Sequence, residues 1–500
     1  MRAWLPLLLL MHCAAASADV TQRNWRLYQS AHFDIYSDVR PREMRRTVQA
    51  LEVFRAAIVQ LTGVAAASGL SHPTHLYLFS RMRDFRALVP SEDIIGYMTP
   101  GLHHNLMVAA KPPRRRLLSS ATEVVFHEYV HDLIRSASSF HYPTWYDEGL
   151  AELLSTATVS DTQLVLGKAP GKAADLAKKM DQAMPLTQAL EYAETAEASS
   201  EQRVGFYLTA WLLTHYLLLS EDSEALHLDQ ALKEYLRVVN QGGASTAAFE
   251  DAFGMSTRQM EQRLRRYSRT LTTYPIALPS VNFNPTFTVQ PLDRDAVRYL
   301  LGSLYVDGDP NQAEALLTQV APASPHYPHA LAARGRLAQQ RGAHKESVRL
   351  LEQALTLDPE DVLLQVSAAD GLLVQCQSLS NRSRCRDAAI LQQALAHYRQ
   401  ARSIDPENAA ANAGYGQTLI QAGRSARAIA PLRKALDRIP GNYEVVRALG
   451  IAHLEQRQWQ AARYYLQRAR GWASKRPRDR AQLEQLLAHI EQSIMMEQSP

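Results

Sequence analysis

The spacing of apolar residues changes along this chain, and each change marks an element. Trp25-Arg26-Leu27-Tyr28 and His32-Phe33-Asp34-Ile35-Tyr36 alternate apolar with polar positions and read as a strand region. From 41 to 62 the period becomes helical, through Met44, Val48, Leu51, Phe54, Ile58 and Leu61. His75 to Phe79 gives a second strand, and the segments around Ile94-Ile95-Gly96-Tyr97 and Leu106-Met107-Val108 a third and fourth. Helical spacing then runs to about Arg269, broken by a short β-like stretch at Gln163 to Leu166. Together these predict a mixed α+β unit over residues 19–270.

Residues 271–293 carry Pro275, Pro279, Pro285 and Pro291 among threonines and asparagines, and read as a linker. Beyond it the pattern repeats. Pro325 and Pro359 lie thirty-four residues apart, as do Pro406 and Pro440, which resembles the tetratricopeptide period. Gly416, Gly423, Ala428, Leu432, Ala435 and Pro440 recur one unit earlier as Gly335, Gly342, Ser347, Leu351, Ala354 and Pro359. Small residues let the two helices of a hairpin approach, and each proline stops the second helix. Weaker units flank these, one with Ala313 and Leu317 and one with Gly450, Ala462 and Ala469. The expectation is an all-α superhelical solenoid of tetratricopeptide (TPR) type over 294–476. An insertion falls near 370–386, and 477–500 form a capping helix whose apolar side holds Leu483, Leu486, Leu487, Ile490 and Ile494.

Composition alters this picture in three places. A net charge of +4 over 500 residues, with arginine and lysine dispersed, gives no footprint for nucleic acid. At the start, Arg2, the apolar run Leu5 to Met11 and Ala16-Ser17-Ala18 have the layout of a secretory signal peptide over 1–18. A lipid anchor on Cys13 is the rival reading, weakened by His12 where a small residue is needed. No other apolar run is long enough to cross a bilayer, so the mature chain is expected to be periplasmic or secreted. Export leaves Cys376 and Cys385, for which a disulfide and two free thiols are both open.

The candidate chemistry lies in Thr122-Glu123-Val124-Val125-Phe126-His127-Glu128-Tyr129-Val130-His131. Ser120 and Glu123 form a capping-box pattern that starts a helix just before it. His127 and His131 are one turn apart on one face, where both imidazoles reach a single metal ion, and Glu128 can address a water at that metal. This is the HExxH arrangement of zinc peptidases. A metzincin would need histidine at Ala137 and glycine at Ile134, which excludes that class.

Pro143-Thr144-Trp145-Tyr146-Asp147-Glu148-Gly149-Leu150-Ala151-Glu152 resembles the W-x-x-E-G-x-A-E segment of gluzincin, peptidase-MA-like domains. The resemblance spans about residues 25 to 270 and implies a zincin-like metallopeptidase domain with Zn2+ as cofactor. It implies that Glu148 is the third ligand beside His127 and His131, with Glu152 behind a ligand histidine. It also implies that Glu128 is the general base of peptide hydrolysis. Phe206-Tyr207-Leu208-Thr209-Ala210-Trp211 resembles a later helix of these domains, in which Tyr207 is a candidate oxyanion stabiliser; a tyrosine packed in the core is the competing reading. His141, His103 and His104 are read as rim residues, since three ligands complete the set. A strand near Leu106-Met107-Val108 is expected to pair with extended substrate. The array is expected to recruit a protein substrate or partner; the alternative is a TPR interaction scaffold whose zinc domain is non-catalytic or regulatory.

Overall fold

The computed structural model describes residues 20–62, 73–89, 95–99, 101–102, 104–111, 121–137, 142–159, 163–169, 180–192, 198–240, 243, 245–278, 281–282, 284–380, 384–473 and 477–498. The expected signal peptide, with Cys13, therefore lies outside the described residues, as do Ile94, His103, Ser120 and His141.

A six-stranded sheet organises the N-terminal part. It contains β1 (Arg26–Gln29), β2 (Phe33–Ser37), β3 (Thr74–Phe79), β4 (Gly96–Thr99), β5 (Leu106–Ala110) and, far along the chain, β9 (Thr288–Pro291). Their spatial order is β4-β5-β3-β2-β1-β9. β2, β3 and β5 run parallel, while β4 and β1 are antiparallel to their neighbours. Parallel pairing of β2 with β3 needs a crossover, and the helix Pro41–Thr62 provides it.

The two faces of the sheet bury different partners. Phe33, Ile35, Leu76, Leu78, Met107 and Ala109 meet the helices Pro41–Thr62 and Ala121–Ala137 in one core. The alternate residues Tyr77, Phe79, Val108 and Ala110 join a second core with Val297, Leu301, Tyr305 and Leu316 from the beginning of the repeat array. Period-two alternation thus sets these helices against one face and the array against the other.

Two expectations need correction here. Residues 271–293 are not a free linker. β8 (Tyr274–Ala277) pairs with β7 (Gln163–Leu166), which also pairs with β6 (Thr158–Val159), and β9 closes one edge of the main sheet against β1. Prolines are tolerated in these strands because β8 and β9 both lie at sheet edges. Nor is the Leu106–Val108 strand available to a substrate. β5 is paired on both sides, by β3 and β4, so the outer strand is β4.

Among the described residues the array contains five helical hairpins, Arg294–Tyr305 with Pro310–Leu317, Tyr327–Gln340 with His344–Leu357, Val362–Ser380 with Ala388–Ile404, Ala409–Gln421 with Ser425–Arg438, and Tyr443–Glu455 with Trp459–Trp472. The helix Pro477–Gln498 covers the last one through Leu483, Leu487 and Ile490. One contact explains the recurring small residue. A Cβ added at Gly302, Gly335, Gly416 or Gly450 would strike Leu317, Leu351, Leu432 or Leu466, at 2.5 to 3.1 Å from the nearest side-chain carbon. In four of the five hairpins a glycine in the first helix is therefore the socket for a leucine in the second. Cys376 and Cys385 are disulfide-bonded with their Cα atoms 5.3 Å apart, and both are buried in the core of the longer third hairpin.

Candidate metal centre

Each of three helices contributes to the site. Ala121–Ala137 carries the HExxH residues, Thr144–Ser155 carries Glu148, and Ser200–Leu219 carries Tyr207. The first turns Val124, Val125, Phe126, Tyr129, Val130 and Leu133 into the core, which leaves His127 and His131 on a different stripe. The second is anchored by Trp145, whose indole N–H donates to the Tyr235 hydroxyl at 2.9 Å in a buried setting. The third runs against the second at Gly149, where an added Cβ would lie 2.4 Å from the Ala210 carbonyl oxygen. Helix spacing at that point is set by the absence of a side chain.

His127, His131 and Glu148 are all buried and converge. His127 Nε2 and His131 Nε2 are 3.3 Å apart, and Glu148 Oε2 lies 3.4 Å from the first and 3.3 Å from the second. Ligands about 2.0–2.1 Å from a tetrahedral ion stand about 3.3 Å from one another, so the three atoms match one face of a zinc coordination tetrahedron. Two nitrogens and a carboxylate oxygen are also the donor set of a catalytic zinc site that keeps its fourth position open.

The opposite ring nitrogens face carboxylates. Asp147 Oδ1 is 3.1 Å from His131 Nδ1, and Glu152 Oε1 is 3.5 Å from His127 Nδ1. The Asp147 hydrogen bond fixes which nitrogen of His131 points inward, whereas Glu152 stands at ion-pair distance from His127 Nδ1, which among the described residues has no hydrogen-bond partner. On their helix Glu148 and Glu152 are one turn apart, while Asp147 is rotated by one residue, so one short segment flanks both imidazoles. Glu152 was foreseen from the motif. Asp147 was not, although its place directly before the ligand glutamate was the available clue.

Charge in the cluster is unbalanced. Burial opposes protonation of both rings, yet Glu148 and Glu152 hold His127 above the usual histidine range, and Asp147 and Glu148 hold His131 well above it. Burial would raise Glu148, but the two histidines bring it well below the carboxylate range, whereas burial raises Glu152. Glu152 Oε2 is buried without a hydrogen-bond partner. Three carboxylates around two imidazoles form an environment that favours a cation, and a divalent metal ion fits the donor atoms.

Glu128 is partly exposed beside the ligands, and its Cγ would lie 3.3 Å from a Cβ added at Gly96 on β4. The outer strand therefore passes alongside the candidate base. Tyr207 is half-buried, with its ring edge-on to His127 at 6.4 Å between centroids. His104 is elsewhere, stacked on His75 with 3.8 Å between ring centroids.

No curated protein matches the chain. Residues 391–430 and 419–490 match the family model of the tetratricopeptide repeat. Similar solved structures include TTC0263, a thermophilic TPR protein of Thermus thermophilus, at 20% identity over 39% of this chain and 99% of that one, with a TM-score of 0.32. They also include a MamA mutant at 21% over 35% and 95% (TM-score 0.27). YrrB, a TPR protein with an unusual peptide-binding site, is 15% identical over 39% and 91% (TM-score 0.28). The C-terminal array is built of helical hairpins, which over residues 391–490 are tetratricopeptide repeats.

Proposed function

We propose that this chain is an exported zinc metallopeptidase of gluzincin type whose TPR array engages its protein substrates or partners. One observation carries the enzymatic reading: two imidazole nitrogens and a carboxylate oxygen, all buried, at mutual distances of 3.3–3.4 Å. His127, His131 and Glu148 would hold the ion. Zinc in such a site supplies Lewis acidity, bringing the pKa of a water toward about 7 and polarising a carbonyl.

The chain's own groups account for the rest of the reaction. The Glu128 carboxylate takes a proton from the attacking water and delivers it to the departing amine nitrogen. Asp147 holds His131 in the tautomer that presents Nε2 inward, and the Glu152 carboxylate faces the outer nitrogen of His127 at 3.5 Å. The Tyr207 hydroxyl, on a ring edge-on to His127, is a candidate to donate to the developing oxyanion. Among the described residues β4 is paired along one edge only; one of its faces lies over Glu128, and its other edge suits an extended peptide backbone added as a further strand.

A second reading keeps the array as the main activity, with a zinc centre that is structural or regulatory. The family match over 391–490 favours it, because that match concerns the repeats alone. Metal content of the purified chain beside His131→Ala separates the two readings from an empty motif, and a peptide-library digest with Glu128→Gln then separates them from each other. About one zinc per chain, lost in His131→Ala, with cleavage abolished in Glu128→Gln while zinc stays bound, is the expected result. Zinc bound without cleavage of any peptide would favour the scaffold, and no zinc in either protein would refute the metal centre. Among the described residues no helix is long and apolar enough to cross a membrane.

A further inference from the structure

Among the described residues, the hydrophobic clusters join the array to the N-terminal part in two places, and the second contact is unlike the first. The first is a broad core in which the opening hairpins pack against the sheet, with Tyr97 of β4 beside it. The second is a single side chain. Leu102, in the β4–β5 connection, packs against a cluster formed by the helices Val362–Ser380, Ala388–Ile404 and Ala409–Gln421. It also packs against the next cluster, formed across the third to fifth hairpins. Among the described residues every other member of the two clusters lies between 362 and 465, and only Tyr415 shares with Leu102 the property of packing against both.

This contact is placed on the inner side of the array. Consecutive first helices of the hairpins pack on one another, as Val362–Ser380 does on Ala409–Gln421, while consecutive second helices are more separated. First helices therefore line the inner, concave side. Tyr415 belongs to such a helix, is half-buried, and has the Arg402 guanidinium 4.6 Å over its ring. Leu102 and Tyr415 pack against the same two apolar clusters, so an aliphatic side chain from the β4–β5 connection shares the seam that this aromatic ring occupies.

Leu102 also sits at the end of a short lever. β4 has only four residues, one strand partner among the described residues, and two faces in use. Gly96 faces Val124 and Glu128 on the metal side, and Tyr97 joins the core shared with the array on the other. A strand this short depends for its order on what holds its ends.

We propose that the concave face around Tyr415 is a peptide site occupied in cis by Leu102, so that a partner segment presenting an aliphatic side chain displaces the β4–β5 connection and loosens the strand beside Glu128. Partner binding and an ordered β4 are then mutually exclusive, and the array controls the candidate active site besides recruiting to it. The catalytic consequence rests on the metallopeptidase reading; the competition itself does not.

The test uses the full chain, its Leu102→Ser and Leu102→Met variants, and a labelled hexapeptide Gly-Leu-His-His-Asn-Leu that copies the connection. Hydrogen exchange by mass spectrometry reads order, and fluorescence anisotropy reads binding. Leu102→Ser should speed amide exchange across Gly96–Thr99 about tenfold and bind the hexapeptide about tenfold more tightly than wild type, since the internal competitor is gone. Leu102→Met should behave as wild type, and bound peptide should protect Ala409–Gln421. Equal peptide affinity in wild type and Leu102→Ser, or unchanged exchange across Gly96–Thr99, overturns the proposal. Zinc content measured on the same samples fails independently. A chain without zinc that still shows the exchange and binding differences loses the enzymatic reading and keeps the cis-occupied site.

Discussion

Replacing Gly149 with alanine pits two effects of opposite sign against each other, and the structure decides between them. In an isolated helix the change would stabilise by about 1 kcal/mol, because alanine is the better helix former. Here the new methyl would stand 2.3 Å from Thr214 Oγ1 and 2.4 Å from the Ala210 carbonyl oxygen. Thr214 can rotate its hydroxyl away, but a backbone carbonyl inside the helix Ser200–Leu219 cannot. Restoring an ordinary contact requires the two helices to part by roughly 1 Å. Overpacking of this kind costs about 3 kcal/mol, so the net effect is destabilisation by about 2 kcal/mol. For a domain of this size that lowers the melting temperature by roughly 4–8 °C. The displaced residue is the neighbour of Glu148, whose oxygen must stay 3.3–3.4 Å from both imidazoles, so zinc affinity should fall about 10- to 100-fold. Calorimetric melting and chelator competition measure the two quantities. A Gly149→Ala protein that melts at or above wild type and keeps wild-type zinc affinity would refute the account of why glycine follows the ligand glutamate.

Other expectations concern the flanking carboxylates and the array. Asp147→Asn and Glu152→Gln should each weaken zinc binding about 10- to 100-fold in chelator competition, with the far-ultraviolet dichroism unchanged. Asp370 is exposed as a residue, but its carboxylate accepts a hydrogen bond from the buried Tyr398 hydroxyl; desolvation of the carboxyl against the hairpin pushes it up from 3.8 to about 6. The folded chain thus holds that proton more tightly than the unfolded one, and the stability it contributes is present below about pH 4 and lost as pH rises to about 6. Urea titrations at pH 4 and pH 7 should show Asp370→Asn gaining on wild type by about 1 kcal/mol across the interval, the full shift being discounted for solvent screening of an exposed residue; a constant difference would contradict the assignment. Replacing both Cys376 and Cys385 with serine should lower the stability of the array by about 2–3 kcal/mol, read from the same titrations, and leave zinc content unaltered.

What could be read from the sequence divides along physical lines. His127 and His131 were legible because an i, i+4 pair on a helix shares a face whatever the helix packs against. The repeat hairpins were legible for the same reason. The thirty-four-residue spacing of prolines and the glycine–leucine pairs, such as Gly416 with Leu432, are local and periodic. Sheet order was not. The resemblance to zincins points to β5 as the strand that meets substrate, but its position inside the sheet is settled by β4, whose pairing no local pattern announces. The prolines of 271–293 read as a linker for a related reason: an edge strand tolerates proline, and nothing in the stretch itself shows that Arg26–Gln29 is waiting to pair with it.

Asp147 and Leu102 are the instructive omissions, since both act across an interface. Asp147 becomes a partner of His131 only because Gly149 and Trp145 fix how the Glu148 helix lies against its neighbours. Leu102 gains a role only because a superhelix more than 250 residues later curves back over the β4–β5 connection. In a chain where one sheet face holds the candidate metal helices and the other holds the array, the strand between them belongs to both. That shared position makes β4 the element through which either part can affect the other. A substitution at Leu102 is therefore a sharper probe of the whole molecule than one at a ligand, because a ligand variant tests only one side of the sheet.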